Sequence, residues 1–273
     1  MRCMVAGDWH GDQRSAASGH PERVIAEAAA DGCGWVVQLG DFGFGFDVGD
    51  RDGSLPVCTF TQRVSEAAGD AGVKVVVVDG NHDNHDLLAR YRVSAPTVGP
   101  ERFVRLDRHV FWAPRGHRWE WAGVRFAALG GAYSPDRADG RYRTEGVDWW
   151  PGEMTSVADL DALGDEPVDV LFTHDAPELP PGLSPLPSAV ATIETATNQA
   201  RVAEAVARTR PAVLMHGHWH VGYDKDWGVL DAAASEAAGE AVWVGVRVVG
   251  LASNAEGVGD RVAVTVTDLA PRS

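Results

Sequence analysis

Five short apolar runs in this chain each end at a cluster of glycine, aspartate, asparagine or histidine residues. The runs are rich in valine and far too short to span a membrane, so we interpret them as buried strands. Helical spacing lies between several of them, and such alternation of strand and helix is typical of an α/β fold. The runs cover residues 3–6, 35–39, 73–78, 168–173 and 212–215.

The polar clusters that follow these runs occupy the carboxyl ends of the predicted strands. Functional sites of α/β proteins collect at those ends, so we expect the clusters to converge in space. The clusters are GDWHGD from residue 7, GD from residue 40, DGNHD from residue 79, HD from residue 174 and HGHWH from residue 216.

The remaining elements are predicted from periodicity and from turn residues. We expect helices at 21–30, 60–71 and 198–208 and antiparallel strands at 109–113, 118–121 and 124–129. The alternation at 242–249 and 261–267 predicts two further strands. The alanine-rich, acidic stretch 231–240 is interpreted as a surface insertion. The chain of 273 residues contains no internal repeat or clear linker, so we predict one domain over residues 1–273. Its predicted architecture is a four-layer αββα sandwich, in which two mixed sheets pack face to face between helices.

A long polar and aromatic segment, residues 130–152, separates two predicted elements. Structureless loops of that length are uncommon in compact domains unless they are functional or mobile. It carries arginines, whose planar guanidinium groups suit bidentate binding of phosphate. Arg137, Arg141 and Arg143 are therefore candidate substrate-binding residues, with ordinary solvated charges as the alternative.

Charge and cysteine content limit the partners and the compartment. The 24 basic and 39 acidic residues give a net charge of −15, and the chain has no run of basic residues, which disfavours nucleic acid as a partner. The three cysteines are too few for a disulfide framework and favour a reducing compartment. No apolar stretch is long enough for a signal peptide or a membrane span, so we expect a cytoplasmic protein without a membrane partner.

The side chains in the polar clusters are of types that bind metal ions in proteins. Carboxylate, amide oxygen and imidazole together suit divalent ions such as manganese, iron, cobalt or zinc. Any one of these residues alone would be interpreted as an ordinary helix cap or turn residue. Seven or eight donors from five segments exceed what a single ion can hold, and they indicate two ions that share a bridging carboxylate.

In these motifs and in their order, the chain resembles the calcineurin-like metallophosphoesterase superfamily. The segment 130–152 also looks similar to one in phage and actinobacterial members. The resemblance implies two bound divalent ions, with manganese expected and iron, zinc, cobalt or nickel as alternatives. It implies that Asp8, His10 and His220 bind the first ion, that Asn81, His174 and His218 bind the second, that Asp41 bridges them, and that His82 protonates the leaving oxygen.

The activity that the resemblance implies is hydrolysis of a phosphoester by metal-activated hydroxide. Gly40-Asp41 is not followed by the Asp-Arg-Gly of the family's protein phosphatases, and Asp83 stands where those enzymes carry glutamate. A small phosphodiester, phosphomonoester or nucleotide is therefore favoured over a phosphoprotein. The alternatives are a nuclease and an inactive scaffold or binding protein of the same fold. A zinc protease or deaminase is disfavoured because HExxH and PCxxC are absent.

Overall fold

Two β-sheets form the centre of the structure, which is a computed structural model. It describes residues 1–11, 19–46, 55–56, 58–135, 137, 143–179, 193–252 and 260–269. The five valine-rich runs all form strands. The strands of the first sheet have the order β13-β1-β2-β3-β6-β5-β4. They are β1 (Arg2–Ala6), β2 (Trp35–Leu39), β3 (Lys74–Val78), β4 (Thr97–Val98), β5 (Phe103–Arg105), β6 (Val110–Trp112) and β13 (Arg261–Thr265).

The second sheet has six strands in the order β11-β12-β10-β9-β8-β7. These strands are β7 (Arg118–Trp121), β8 (Val124–Leu129), β9 (Val170–Thr173), β10 (Val213–His216), β11 (Tyr223–Leu230) and β12 (Trp243–Gly250). Both sheets are mixed. Each has four parallel strands at its centre, β1, β2, β3 and β6 in the first sheet and β8, β9, β10 and β12 in the second. The strands at the sheet edges pair antiparallel.

Helices cover the outer face of each sheet. The first sheet is covered by α1 (His20–Ala30), α2 (Thr59–Ala71) and α3 (His85–Ser94), and the second by α4 (Val157–Leu163) and α5 (Ile193–Thr209). A further helix, α6 (Ala232–Ala238), has no buried residue. Alternate strand residues point in opposite directions, so Val36 packs toward α1 and α2 while Val37 faces the second sheet. A third apolar cluster joins the second sheet to α4 and α5 through Leu171, Leu214 and Val202. The predicted αββα sandwich is confirmed.

Some sequence predictions need correction. The strands predicted at 109–113 and 124–129 are not purely antiparallel, because β6 pairs parallel with β3 and β8 pairs parallel with β9. The stretch 231–240, interpreted as a surface insertion, contains α6, an exposed helix whose first turn is capped by the Asp231 side chain. The sequence analysis also missed α3, α4, β4, β5 and β11.

The parallel strands direct their carboxyl ends to one edge of the sandwich. β1, β2 and β3 run in the same direction, so the residues that follow Ala6, Leu39 and Val78 emerge side by side. β9 and β10 bring the residues after Thr173 and His216 to the same place from the second sheet. Within the described part of the chain, no helix has the length and apolar character needed to cross a membrane.

Candidate metal centre

Asp41 lies at the middle of the converging strand ends. Its Oδ1 is 3.1 Å from Nε2 of His174, and its Oδ2 is 3.8 Å from Nε2 of His10. The backbone N–H of His82 donates to Oδ1 at 2.7 Å, which fixes the rotation of the carboxylate. The two oxygens of one buried carboxylate therefore face two different groups of side chains.

The first group is formed by Asp8, His10 and His220, whose ligand atoms lie within 4.8 Å of one another. Nε2 of His10 is 3.2 Å from Nε2 of His220, which in turn is 3.3 Å from Oδ2 of Asp8. Both oxygens of Asp8 accept the backbone N–H of His218 at 3.1 Å. The loop after β10 is thereby tied to the loop after β1.

The second group is formed by Asp41, His174 and His218, with Asn81 beside them. The Nδ1–H of His174 donates to the carbonyl oxygen of Leu39 at 2.7 Å. Because a carbonyl can only accept, this bond leaves the lone pair of the neutral imidazole on Nε2. That nitrogen faces Oδ1 of Asn81 at 3.0 Å as well as Asp41.

The donor set fits divalent metal ions. In the second group, two oxygens and Nε2 meet at about hydrogen-bond distance, an arrangement that repels itself unless a proton or a metal ion lies among the three atoms. Burial alone would lower the pKa of His174, but Asp41 and Asp8 raise it to about 10. Burial opposes ionisation of Asp41 as well, yet His174 and His82 hold its pKa well below its usual range. The site thus attracts positive charge while Asp41 remains a carboxylate.

Backbone strain is concentrated in this group of residues. Left-handed φ values between 48° and 64° occur at His10, Asp41, His218 and His220. Non-glycine residues adopt this conformation seldom and at an energetic cost, and such residues cluster at functional sites. The strain turns side chains that are separated by one position in the chain, such as His218 and His220, toward the centre.

Two glycines make room for the ligands. A Cβ at Gly40 would overlap the ring of His174, and one at Gly80 would overlap the backbone and carboxylate of Asp41. Gly40 also has a φ of 90°, which L side chains rarely adopt. The glycine before each aspartate or asparagine in these motifs is therefore part of the packing of the centre.

His82 borders the first group, with its ring centroid 4.8 Å from that of His10. Nη2 of Arg143 lies 2.7 Å from Nε2 and 3.1 Å from Nδ1 of His82. Arg143 is held by donation of its Nη1–H to the carbonyl oxygen of Asp148 at 2.8 Å. The segment 130–152 thus places one guanidinium next to the candidate acid.

The other two arginines of that segment differ. Arg137 forms an ion pair with buried Glu153 at 3.2 Å and lies 4.6 Å from the ring centroids of both Tyr133 and Trp149. These contacts favour a structural role for Arg137 over the substrate-binding role predicted for it. Arg141 lies outside the described residues.

Several residues besides the candidate ligands support the centre. Asp83 accepts backbone N–H groups of Gly43, Phe44 and Gly80, and thereby joins the loops after β2 and β3. The Trp219 indole donates to Asp175 at 2.8 Å, and Asp175 also accepts from the Asn198 amide at 2.8 Å. Ser134 accepts from the Asn81 amide and donates to Glu153. Among these supporting residues, only Asp83 and Asp175 could be singled out from the sequence, because each directly follows a predicted metal ligand or catalytic residue.

Several solved structures of low sequence identity match this chain. A protein of Thermus thermophilus is 12% identical, with a TM-score of 0.49 and coverage of 97% of this chain and 98% of that one. A novel archaeal phosphodiesterase is 10% identical, with a TM-score of 0.46 and coverage of 100% and 98%. A phosphopantetheinyl hydrolase from Mycobacterium tuberculosis is 13% identical, with a TM-score of 0.46 and coverage of 96% and 95%.

The family comparison covers most of the chain. No curated protein sequence matches it. The family model described as calcineurin-like phosphoesterase matches residues 1–222, a stretch that contains every strand end of the candidate centre. The chain therefore belongs to the calcineurin-like phosphoesterase family.

Proposed function

We propose that this chain hydrolyses a phosphoester, with a small phosphodiester, phosphomonoester or nucleotide as substrate. The observation that carries the proposal is the position of Asp41, whose two oxygens face two separate groups of metal-binding side chains. Paired ions about 3.5–4 Å apart serve phosphoryl transfer by clamping the attacking and leaving oxygens. Family membership supports the same reaction class.

The described side chains divide naturally into two ligand sets. Asp8, His10 and His220 would hold one ion, and Asn81, His174 and His218 the other, with Asp41 shared. When bound, such ions supply an acidified water and neutralise charge on the phosphate. Manganese is the ion we propose, and iron, zinc, cobalt and nickel suit the same nitrogen and oxygen donors.

His82 is the proposed general acid. It borders Asp41, to which its backbone N–H is bonded, and its ring nitrogens face Nη2 of Arg143. Proton donation to the leaving oxygen requires a group within hydrogen-bond reach of that atom, and His82 lies where a phosphate on the centre would extend. Arg143, 2.7 Å from His82, would bind a phosphate oxygen as a charged donor.

The charge of the chain supports a small substrate. With a net charge of −15, the protein repels an extended polyanion, so a nucleic acid is a poor partner. Cys3, Cys33 and Cys58 are buried and form no disulfide in the described part of the chain, and a cytoplasmic location is proposed in keeping with this.

The test uses protein freed of metal and then supplied separately with Mn²⁺, Ni²⁺, Co²⁺, Zn²⁺ or Mg²⁺. Hydrolysis of bis(4-nitrophenyl) phosphate and of 4-nitrophenyl phosphate is measured for the wild type and for His82→Ala and Asp41→Asn. We expect metal-dependent turnover that falls at least about 100-fold in both variants. Metal-bound wild type that hydrolyses neither ester would contradict the proposal. Full activity in His82→Ala would contradict the role of His82 as general acid.

A further inference from the structure

The side-chain amide of Asn81 has two ends that differ in chemistry but hardly in shape. Its Oδ1 faces Nε2 of His174 at 3.0 Å, and its Nδ2 donates to Oγ of Ser134 at 2.9 Å. Only the oxygen end can bind a metal ion, whereas the NH₂ end would repel one. The orientation of this amide therefore decides whether Asn81 is a ligand.

The hydrogen bonds of Ser134 select that orientation. Its Oγ–H donates to Oε2 of Glu153 at 2.7 Å, and its backbone N–H donates to Oε1 at 3.0 Å. A carboxylate can only accept, so the single hydroxyl proton of Ser134 points at Glu153. The hydroxyl oxygen can then only accept from Asn81, which places the amide nitrogen toward Ser134 and the amide oxygen toward His174.

Glu153 is held firmly in this position. Ser134 and Glu153 are fully buried, and Arg137 supplies the opposite charge at 3.2 Å from Oε1. The backbone carbonyl of Glu153 accepts from Arg115 at 2.9 Å and from the N–H of Ala132 at 3.1 Å. A rigid carboxylate therefore determines the direction of every hydrogen bond from Glu153 through Ser134 to Asn81.

We propose that Ser134 and Glu153 are positioning residues that fix the Asn81 amide with its oxygen toward the metal centre. The inference rests on the proposed function, because it concerns one of the two ligand sets. Residues that orient metal ligands typically change metal affinity by about 10- to 100-fold when they are altered. The effect falls on the ion held by Asn81, because Asn81 is the ligand to which Ser134 is hydrogen-bonded.

The substitution Glu153→Gln reverses the direction of these bonds with almost no change of shape. The glutamine oxygen must accept the backbone N–H of Ser134, which turns its NH₂ group toward the hydroxyl. The hydroxyl then accepts from Gln and donates its proton to Asn81, and this favours the amide orientation that cannot bind metal. In Ser134→Ala, by contrast, the amide loses its constraint but is not driven to the wrong orientation.

The experiment measures Mn²⁺ binding to metal-free protein by isothermal titration calorimetry, with metal content checked by elemental analysis. The variants are Ser134→Ala, Glu153→Gln and the double variant. Ser65→Ala is the matched control, because Ser65 also donates to a carboxylate, Asp107 at 2.8 Å, and accepts a backbone N–H, from His109 at 3.0 Å. Circular dichroism checks that each variant is folded.

We expect one of the two Mn²⁺ equivalents to bind at least about 10-fold more weakly in Ser134→Ala, and more weakly still in Glu153→Gln. The double variant should resemble Ser134→Ala, because without the Ser134 hydroxyl the reversed hydrogen-bond direction cannot affect Asn81. Ser65→Ala should bind both ions as the wild type does. If Ser134→Ala fails to fold, Glu153→Gln alone still tests the inference through its effect on one equivalent.

Unchanged affinity for both ions in Ser134→Ala and Glu153→Gln would overturn the inference while the proposed function stands. Equal weakening of both ions, or additive losses in the double variant, would also overturn it, since a general packing defect acts in that way. A wild type that binds no Mn²⁺ or other divalent ion would instead contradict the proposed function itself.

Discussion

Oδ1 of Asp41 lies 3.1 Å from Nε2 of His174, and the imidazole is locked in this orientation by its bond to the carbonyl of Leu39. The same Nε2 faces the oxygen of Asn81. Three atoms with lone pairs cannot share this space unless a proton or a metal ion lies among them, so the folded protein favours positive charge at this point. Binding of a metal ion relieves the repulsion.

Divalent metal should therefore stabilise the fold. A ligand at 100 times its Kd raises the free energy of unfolding by about 2.7 kcal/mol per site, provided that the unfolded chain does not bind it. We expect Mn²⁺ to raise the midpoint of urea unfolding and EDTA to lower it, as followed by circular dichroism. His174→Ala should lose most of the response, whereas His109→Ala, which alters a histidine bonded to Ser65, should keep it. An equal response in both variants would contradict this assignment.

The buried pair of Asp79 and Arg115 should be essential for stability. Nε of Arg115 donates to Asp79 at 2.7 Å, and the Trp112 indole donates to the other carboxylate oxygen at 3.0 Å. Removing one partner of a buried pair typically costs about 3–5 kcal/mol, because the other charge remains buried and unpaired. We expect this loss in Arg115→Met, measured by urea unfolding of metal-free protein.

Arg247→Met is the control for that measurement. Arg247 and Asp224 form a closer pair at 2.6 Å, but their side chains are 49% and 51% exposed. Exposed pairs contribute about 0–1 kcal/mol, so this variant should unfold at nearly the wild-type midpoint. Losses of similar size in the two variants would show that burial does not determine the effect.

Stability should fall between pH 7.5 and 5.0 partly because of His85. Its Nε2–H donates to the carbonyl of Gly80 at 2.9 Å, and its Nδ1 faces Nη2 of Arg115 at 3.4 Å, with Asp79 4.0 Å away. Burial and Arg115 lower the pKa of His85 from 6.5 to about 4. Below pH 6.5 the unfolded chain therefore takes up a proton that the folded protein does not, and stability is lost as the pH falls toward 4.

The contribution amounts to about 2 kcal/mol over this interval, at 1.36 kcal/mol for each unit of pKa difference. It is measured as the difference between the wild type and His85→Gln, which keeps an N–H donor but does not titrate. Urea unfolding at both pH values in EDTA should show a steeper loss for the wild type. Parallel curves would mean that His85 is protonated equally in both states.

Trp219 should support catalysis without contact with the substrate. It lies between His218 and His220, both with left-handed φ, and its indole N–H donates to Asp175 at 2.8 Å. Trp219→Phe removes this bond and leaves Asp175 with one fewer donor, at a cost of about 1–3 kcal/mol. We expect weaker metal binding and about 10-fold lower turnover of bis(4-nitrophenyl) phosphate. Trp243→Phe, a change at a residue 61% exposed, should leave both unchanged.

The positions of the candidate ligands could be predicted because chemistry and chain geometry coincide there. Each follows a strand of valine-rich sequence, and parallel strands must bring their carboxyl ends together. The glycine before Asp41 and Asn81 was visible in the sequence, although the reason for it, lack of space beside His174 and Asp41, required the structure.

The supporting contacts could not be predicted, since they join residues far apart in the chain. Ser134 is 53 positions from Asn81 and 19 from Glu153, and nothing local marks either residue. Arg137 and Arg143 are equally plausible phosphate ligands by sequence, and only their contacts separate them. The strand β11 was missed because it is an exposed edge strand, in which Asp and Lys interrupt the apolar alternation.

The most direct test of the two-metal centre is the metal content of the protein after loading with Mn²⁺ and removal of free ion. The wild type should hold two equivalents per chain by elemental analysis, and Asp41→Asn should lose metal because both ligand sets share that carboxylate. One equivalent or none in the wild type, under conditions where the chain is folded, would contradict the two-metal centre.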